Sequence, residues 1–160
     1  MTARTNIQSL SGALLFLSAF RPATFDSAGY VDSLIAWTLV GQIEDFGSHG
    51  LKAQLITFTA VADAIVQKLK GSKDYGDMSL TIGNVPSDVG QALLSTASES
   101  QNRYSARIVY PLGDGEVSPE NHYMDVLVMS REFQDGSVNN VRKTAVQLSI
   151  ARKPVEVAAT

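Results

Sequence analysis

Apolar residues in this chain recur at period two in run after run and switch to a helical period only once. Ile35, Trp37, Leu39, Gly41 and Ile43 alternate with Ala36, Thr38, Val40, Gln42 and Glu44. Period two sends successive side chains to opposite faces, so such a run is a strand with one buried face. Met78, Leu80 and Ile82 alternate with Asp77, Ser79 and Thr81, and Val146, Leu148 and Ile150 alternate with Ala145, Gln147, Ser149 and Ala151. "LKAQLITFTA", from Leu51 to Ala60, is rich in β-branched and aromatic residues. Placed after the Gly47–Gly50 turn, it is expected to form a hairpin with the 35–43 run. "RYSARIVYPL" and "HYMDVLVMSREF" supply two more β-rich runs around the loop "GDGEVSPEN". "SGALLFLSAF" follows a lone Arg4, has no small-residue cleavage pattern after it and falls far short of a membrane span of about 20 residues, so it reads as a first buried strand.

The exception to period two is "NVPSDVGQALLSTASESQ". Asp88 can cap the first free amides, Gln91 three residues on can reach back to it, and Pro86 blocks an earlier start. Val89, Ala92, Leu93, Thr96 and Ala97 then form one stripe of an amphipathic helix of about three turns. The sum is seven strands and one helix, an α+β chain that is mainly antiparallel β, with no internal repeat and no low-complexity segment.

The chain has 160 residues, the size of one domain, and sets 13 Lys and Arg against 16 Asp and Glu for a net charge of −3. Without a basic run, DNA binding by phosphate neutralisation is excluded. Cysteine is absent, which removes disulfides, thiolate metal sites and cysteine nucleophiles and fits assembly in a reducing cytoplasm. Charged residues make up 18%, below the usual share of about 25%, and leave uncharged surface to be covered by neighbours.

Catalytic chemistry has no motif to stand on. His49 and His122 are the only side chains titrating near neutrality without help, and each reads as a turn or strand-start residue. No G-x-S-x-G pentapeptide occurs. "GSKDYGD" has two glycines at phosphate-loop spacing, but Asp77 stands where the essential Lys belongs. "DGEVSPEN" lacks the register and closing Glu of a calcium loop. Glu44 and Asp45, adjacent in a strand, point to opposite faces and form no acid–base pair. Lys68, Lys70 and Lys73 form a small basic patch, read as a solvated loop or as a partner for an acidic patch on a neighbour. No enzyme, cofactor or metal site is expected.

The order of features from Ser11 onward resembles the major tail tube protein family of long-tailed (siphophage-type) bacteriophages and related phage-derived particles. The resemblance rests on "SGALLFLSAFRPATFDSAGY", "WTLVGQIEDFGSHG", "ITFTAVADAIVQKLKGSKDYGDMSLTIG", the Gly-Gln-Ala-Leu-Leu helix and the closing "LSIARKPV", in that order and spacing. It implies an antiparallel β-sandwich or barrel-like subunit with one flanking helix, spanning residues 11–160 after an N-terminal extension of residues 1–10. Six such subunits close into a homohexameric ring, and rings stack into a tube that conducts DNA to the host without binding it specifically. The implied partners are further copies of the chain, the tape measure protein, the tail tip and the terminator, with no membrane. The implied place is the virion tail, assembled in the host bacterial cytoplasm.

Within that resemblance, loops Arg21–Tyr30 and Gln67–Asp77 are expected to make ring-to-ring contacts through Arg21, Pro22, Phe25, Tyr30, Lys68, Lys70, Lys73, Asp74 and Tyr75. Gln147, Ser149, Asp77 and Ser79 are expected on an intersubunit or lumen-facing strand. An open edge on the terminal strand would pair with a copy and satisfy its backbone groups. Two other readings compete. One is a different ring-forming tail protein, a terminator or the inner tube of a contractile machine. The other is a soluble β-sandwich binder of small molecules, with Trp37, Tyr104, Tyr110 and Tyr123 lining a pocket.

Overall fold

The computed structural model describes residues 7–160, so residues 1–6 of the expected N-terminal extension lie outside the described residues. The described elements are β1 (Leu14–Ser18), α1 (Ser27–Tyr30), β2 (Thr38–Val40), β3 (Ile43–Asp45), β4 (Lys52–Thr59), β5 (Val66–Asp74), β6 (Asp77–Gly83), α2 (Val89–Glu99), β7 (Tyr104–Val109), β8 (Asn121–Gln134), β9 (Lys143–Ile150) and β10 (Val155–Val157). The fold is mostly β and antiparallel, as expected.

Seven strands follow one another in the order β2-β1-β7-β8-β9-β6-β3, and β10 adds to β8. The two ends of that order, β2 and β3, are joined by only Gly41 and Gln42, so the sheet curls until its edges nearly meet. The corner is fastened by backbone: Gly83 N–H donates to the Gln42 carbonyl at 2.8 Å, while Gln42 sits at φ 60. β8 carries the other fold line. Its first part pairs with β7 and its second with β9, with a register shift between Val128 and Ser130. A bulge of this kind bends a strand and lets it serve both layers of a sandwich.

Between the layers lies the core that the alternation predicts. Leu15, Leu17, Met78, Leu80, Ile82, Ile108, Met124, Val126, Val146, Leu148 and Ile150 are all buried in one cluster. A second, smaller cluster stacks Tyr30 on Tyr123 at 5.1 Å between ring centres and adds Ile35, with Phe25, Trp37, Val155 and Val157 packed around it. The segment from Arg21 to Trp37 is thereby folded down on β8 and β10.

Helix α2 starts where the sequence places it. The Asp88 carboxylate accepts from Gln91 N–H at 3.0 Å. Gln91, however, does not reach back to Asp88. Its Oε1 accepts from Val85 N–H and its Nε2 donates to the Gly83 and Gly41 carbonyls, tying the helix to the β2–β3 corner. The buried face is Gly90, Leu94 and Ala97, with Leu93 partly covered, while Val89 is 72% exposed. The expected stripe was rotated because Gly90 lies against the Leu39 carbonyl, a contact only a residue without Cβ allows.

Three further expectations are corrected. The 35–43 run is not one strand of a hairpin with 51–60: it breaks at the corner into β2 and β3, and β4 pairs with β5 instead. Gln67–Asp77 is not a loop but strand β5 and a tight turn into β6. Its lysines disguised it, because long charged side chains sit readily on a strand exposed to water on both faces. The last long strand, β9, has no open edge, since β8 and β6 flank it on both sides.

Candidate assembly surfaces

Asp45 pairs with Thr81 and Lys52 with Asp74, and between those pairs the chain brings Gly47 close to the Ser79 carbonyl and Gly76 close to the Gly50 carbonyl. Strands β4 and β5 form their own two-stranded sheet, which leaves the sandwich beside the β3–β6 pair as an arm. Eight residues of strand carry its tip about 27 Å beyond the body. Every residue of β4 is exposed, and in β5 only Gly71 is not.

The arm's sequence does not suit water on both sides. Ile56, Phe58 and Leu69 share one face and are 47%, 58% and 61% exposed. Leu55 and Val66 lie on the other face beside Lys68 and Lys70. Gly71 faces the Ile56 side chain, where a Cβ would crowd it. An isolated two-stranded ribbon is marginal in water, and a contiguous apolar face marks a surface to be covered. The tip, residues 60–65, carries a single charge, Asp63, whose carboxylate accepts from Ile65 N–H.

The expected stacking residues separate accordingly. Lys68, Lys70, Lys73 and Asp74 are exposed on the arm, Asp74 also accepting from Gly76 N–H at its root, whereas Tyr75 packs against the main core. Pro22 and Tyr30 are buried, so neither offers a surface to a neighbour. Phe25 lies partly buried between two guanidinium groups, Arg21 at 5.2 Å and Arg152 at 4.2 Å from its ring centre.

Those arginines belong to a cluster that sequence reasoning missed. Asp125 is fully buried and takes both Arg21 Nε and Nη2 at 3.2 and 3.1 Å, Arg152 Nε at 3.3 Å and Arg103 Nη1 at 3.6 Å. The fork of Arg21 on a carboxylate fixes direction as well as distance. Burial, followed by the Asp125 charge, pushes the neighbouring Tyr30 hydroxyl up to about 12. The available signal was an aspartate inside the apolar run "YMDVLVM".

Asp77, Ser79, Gln147 and Ser149, expected on an intersubunit or lumen-facing strand, lie side by side on two strands. Asp77 pairs with Ser149 and Ser79 with Gln147, and all four point away from the core on adjacent strands. The two histidines also meet. His49 Nε2 lies 3.2 Å from His122 Nδ1, and His122 Nε2 lies 2.8 Å from Glu120 Oε1. Tyr110 has its hydroxyl 3.4 Å from the same His122 Nδ1. The aromatic side chains considered for a pocket scatter: Tyr104 enters the main core, Tyr110 joins the histidines, and Trp37 tilts on Tyr123 at 6.0 Å. Among the described residues no group of three or more His, Asp or Glu is placed to hold a metal, and no helix is long and apolar enough to cross a membrane.

The described residues thus form a β-sandwich that carries an exposed two-stranded arm. The chain belongs to the phage tail tube protein family, whose model matches residues 9–159. No curated protein sequence matches it. Among solved structures it is similar to the tail tube of SPP1, with 12% identity, a TM-score of 0.62 and coverage of 91% of this chain and 76% of that one. It is also similar to a chain of the anti-feeding prophage baseplate, at 10% identity and TM-score 0.69 over 98% of both chains. A chain of the sheath/tube terminator of the extracellular contractile injection system PVC gives 10% identity and TM-score 0.67, covering 98% of this chain and 100% of that one.

Proposed function

We propose that the chain builds the tail tube of a virion as homohexameric rings stacked head to tail, and that DNA passes along the lumen to the host cell. The observation that carries this reading is the arm. It is a two-stranded sheet of its own, exposes Ile56, Phe58 and Leu69, and leaves both strand edges without partners among the described residues. A second copy covers all of these at once, and a contact between unlike surfaces of identical copies propagates along an axis.

The outer face of β6 and β9 lines the lumen. Asp77, Ser79, Gln147 and Ser149 give it a wet surface, Lys143 on the same face is paired with Glu44 at 2.7 Å, and the like charge of Asp77 keeps phosphate from sticking. The net charge of −3 supports the same conclusion. The tape measure protein, the tail tip and the terminator are its partners at the ends and in the lumen, and assembly takes place in the bacterial cytoplasm. Electron microscopy of the concentrated chain tests the reading, with hollow tubes as the expected result.

A further inference from the structure

The arm leaves the body where β6 begins, at Asp77. At the other end of β6, beyond Gly83 and about 20 Å away along the strand, a groove of about 390 Å³ opens between α2 and the β8–β9 hairpin. Pro86 and Ala92 form one wall, and Arg131, Phe133 and Arg142 form the other. Phe133 is 53% exposed, and the Arg131 guanidinium rests on its ring at 4.6 Å. Arg142 is paired with Asp135 at 3.3 Å, whereas Arg131 has no carboxylate partner among the described residues.

We propose that this groove receives the arm tip of a second copy, with Asp63 of one copy on Arg131 of the other and Val61 and Ile65 against Phe133 and Pro86. This deepens the tube reading and rests on it. Three observations select the occupant. The tip has one charged residue and it is acidic, while the groove holds two arginines and no acid. Val61 and Ile65 flank that acid and are fully and 61% exposed, so the tip matches the groove in apolar surface as well as in charge. The arm and the groove lie at opposite ends of one strand, so placing one in the other sets copies head to tail in the same orientation. Such a contact joins unlike surfaces, and it repeats along an axis when its rotation does not close a ring. Stacking on Phe133 holds the guanidinium plane in place and leaves its edge free for a carboxylate, so less side-chain freedom is lost on docking.

The chain has no cysteine, so two introduced cysteines report one contact. Full-length Asp63→Cys/Arg131→Cys, polymerised and mildly oxidised, is expected to run as a covalent ladder on a non-reducing gel, and Asp63→Cys/Arg103→Cys is expected to stay monomeric there. Asp63→Arg or Arg131→Asp alone is expected to reduce polymer mass at least about tenfold, since like charges at a contact cost several kcal/mol, and the two together to restore most of it. Asp63 is exposed and Arg131 half-buried, and an unchanged thermal melt checks that the variants fold. Tubes of the unsubstituted chain together with no ladder and indifferent charge variants overturn the groove contact alone. An unsubstituted chain that never polymerises overturns the tube reading and the groove contact with it.

Discussion

Two residues decide how the outer segments hold to the sandwich. Asp125 is a buried carboxylate that gathers Arg21, Arg103 and Arg152, and so pins the Arg21–Trp37 segment and the chain after β9 onto β8. Removing its charge leaves three guanidinium groups around a neutral side chain. Asp125→Asn is expected to cost about 2 kcal/mol, below the usual penalty for breaking a buried pair because the arginines are half exposed. Urea denaturation measures this, and an unchanged midpoint contradicts it. His49 acts at the root of the arm. Glu120 accepts from His122 Nε2–H, which leaves Nδ1 to accept from His49 Nε2–H. Burial first, and then His122, push the His49 pKa below 6.5, with Glu156 opposing and Tyr110 facing the same nitrogen. The unfolded chain therefore takes up this proton at higher pH than the fold does, and stability falls as pH drops below about 6.5. His49→Gln is expected to flatten that acid limb in thermal melts between about pH 7 and 5. A limb as steep as that of the unsubstituted chain contradicts the assignment.

At the scale of elements, legibility followed burial. Strands β6 and β9 each hide one face, so alternation of apolar and polar residues announces them, while β1 shows as a continuous apolar run. Strand β5 hides neither, its "VQKLKGSKD" alternates nothing that burial enforces, and it reads as a loop. The β2–β3 corner was invisible for a different reason. Period two runs straight through Gly41, and the break there is imposed by distant groups: the Asp88 carboxylate on Gly41 N–H and the Gly83 amide on the Gln42 carbonyl. Of the expected assembly residues, the exposed lysines and the β6–β9 quartet fell on surfaces, while Tyr30 and Pro22 went inside because aromatic stacking on Tyr123 pulls their segment down. The arm carries its own prediction. Deleting Gly71–Lys73 removes the residues beside the register shift between Ala53 and Leu55 and moves the tip relative to the body. It is expected to abolish tubes while leaving the unfolding midpoint of the sandwich nearly unchanged, since the arm contributes nothing to the core. Normal tubes from this variant contradict the arm's role.

For the whole molecule, the sandwich is complete in one chain and the arm is not. The core closes between curled layers, the terminal strands are paired, and the large exposed apolar face on β4 and β5 belongs to an element that a single chain leaves bare. That division is what a polymer of identical units requires: subunits that fold before they meet, and a segment that finishes ordering on contact. The measurement that tests it most directly is negative-stain electron microscopy of the purified chain, fresh and after concentration, with and without a tail-tip complex as nucleus. Hollow tubes with six-fold end views are the predicted result. Compact monomers at every concentration, with none incorporated when the nucleus is added, would contradict the account.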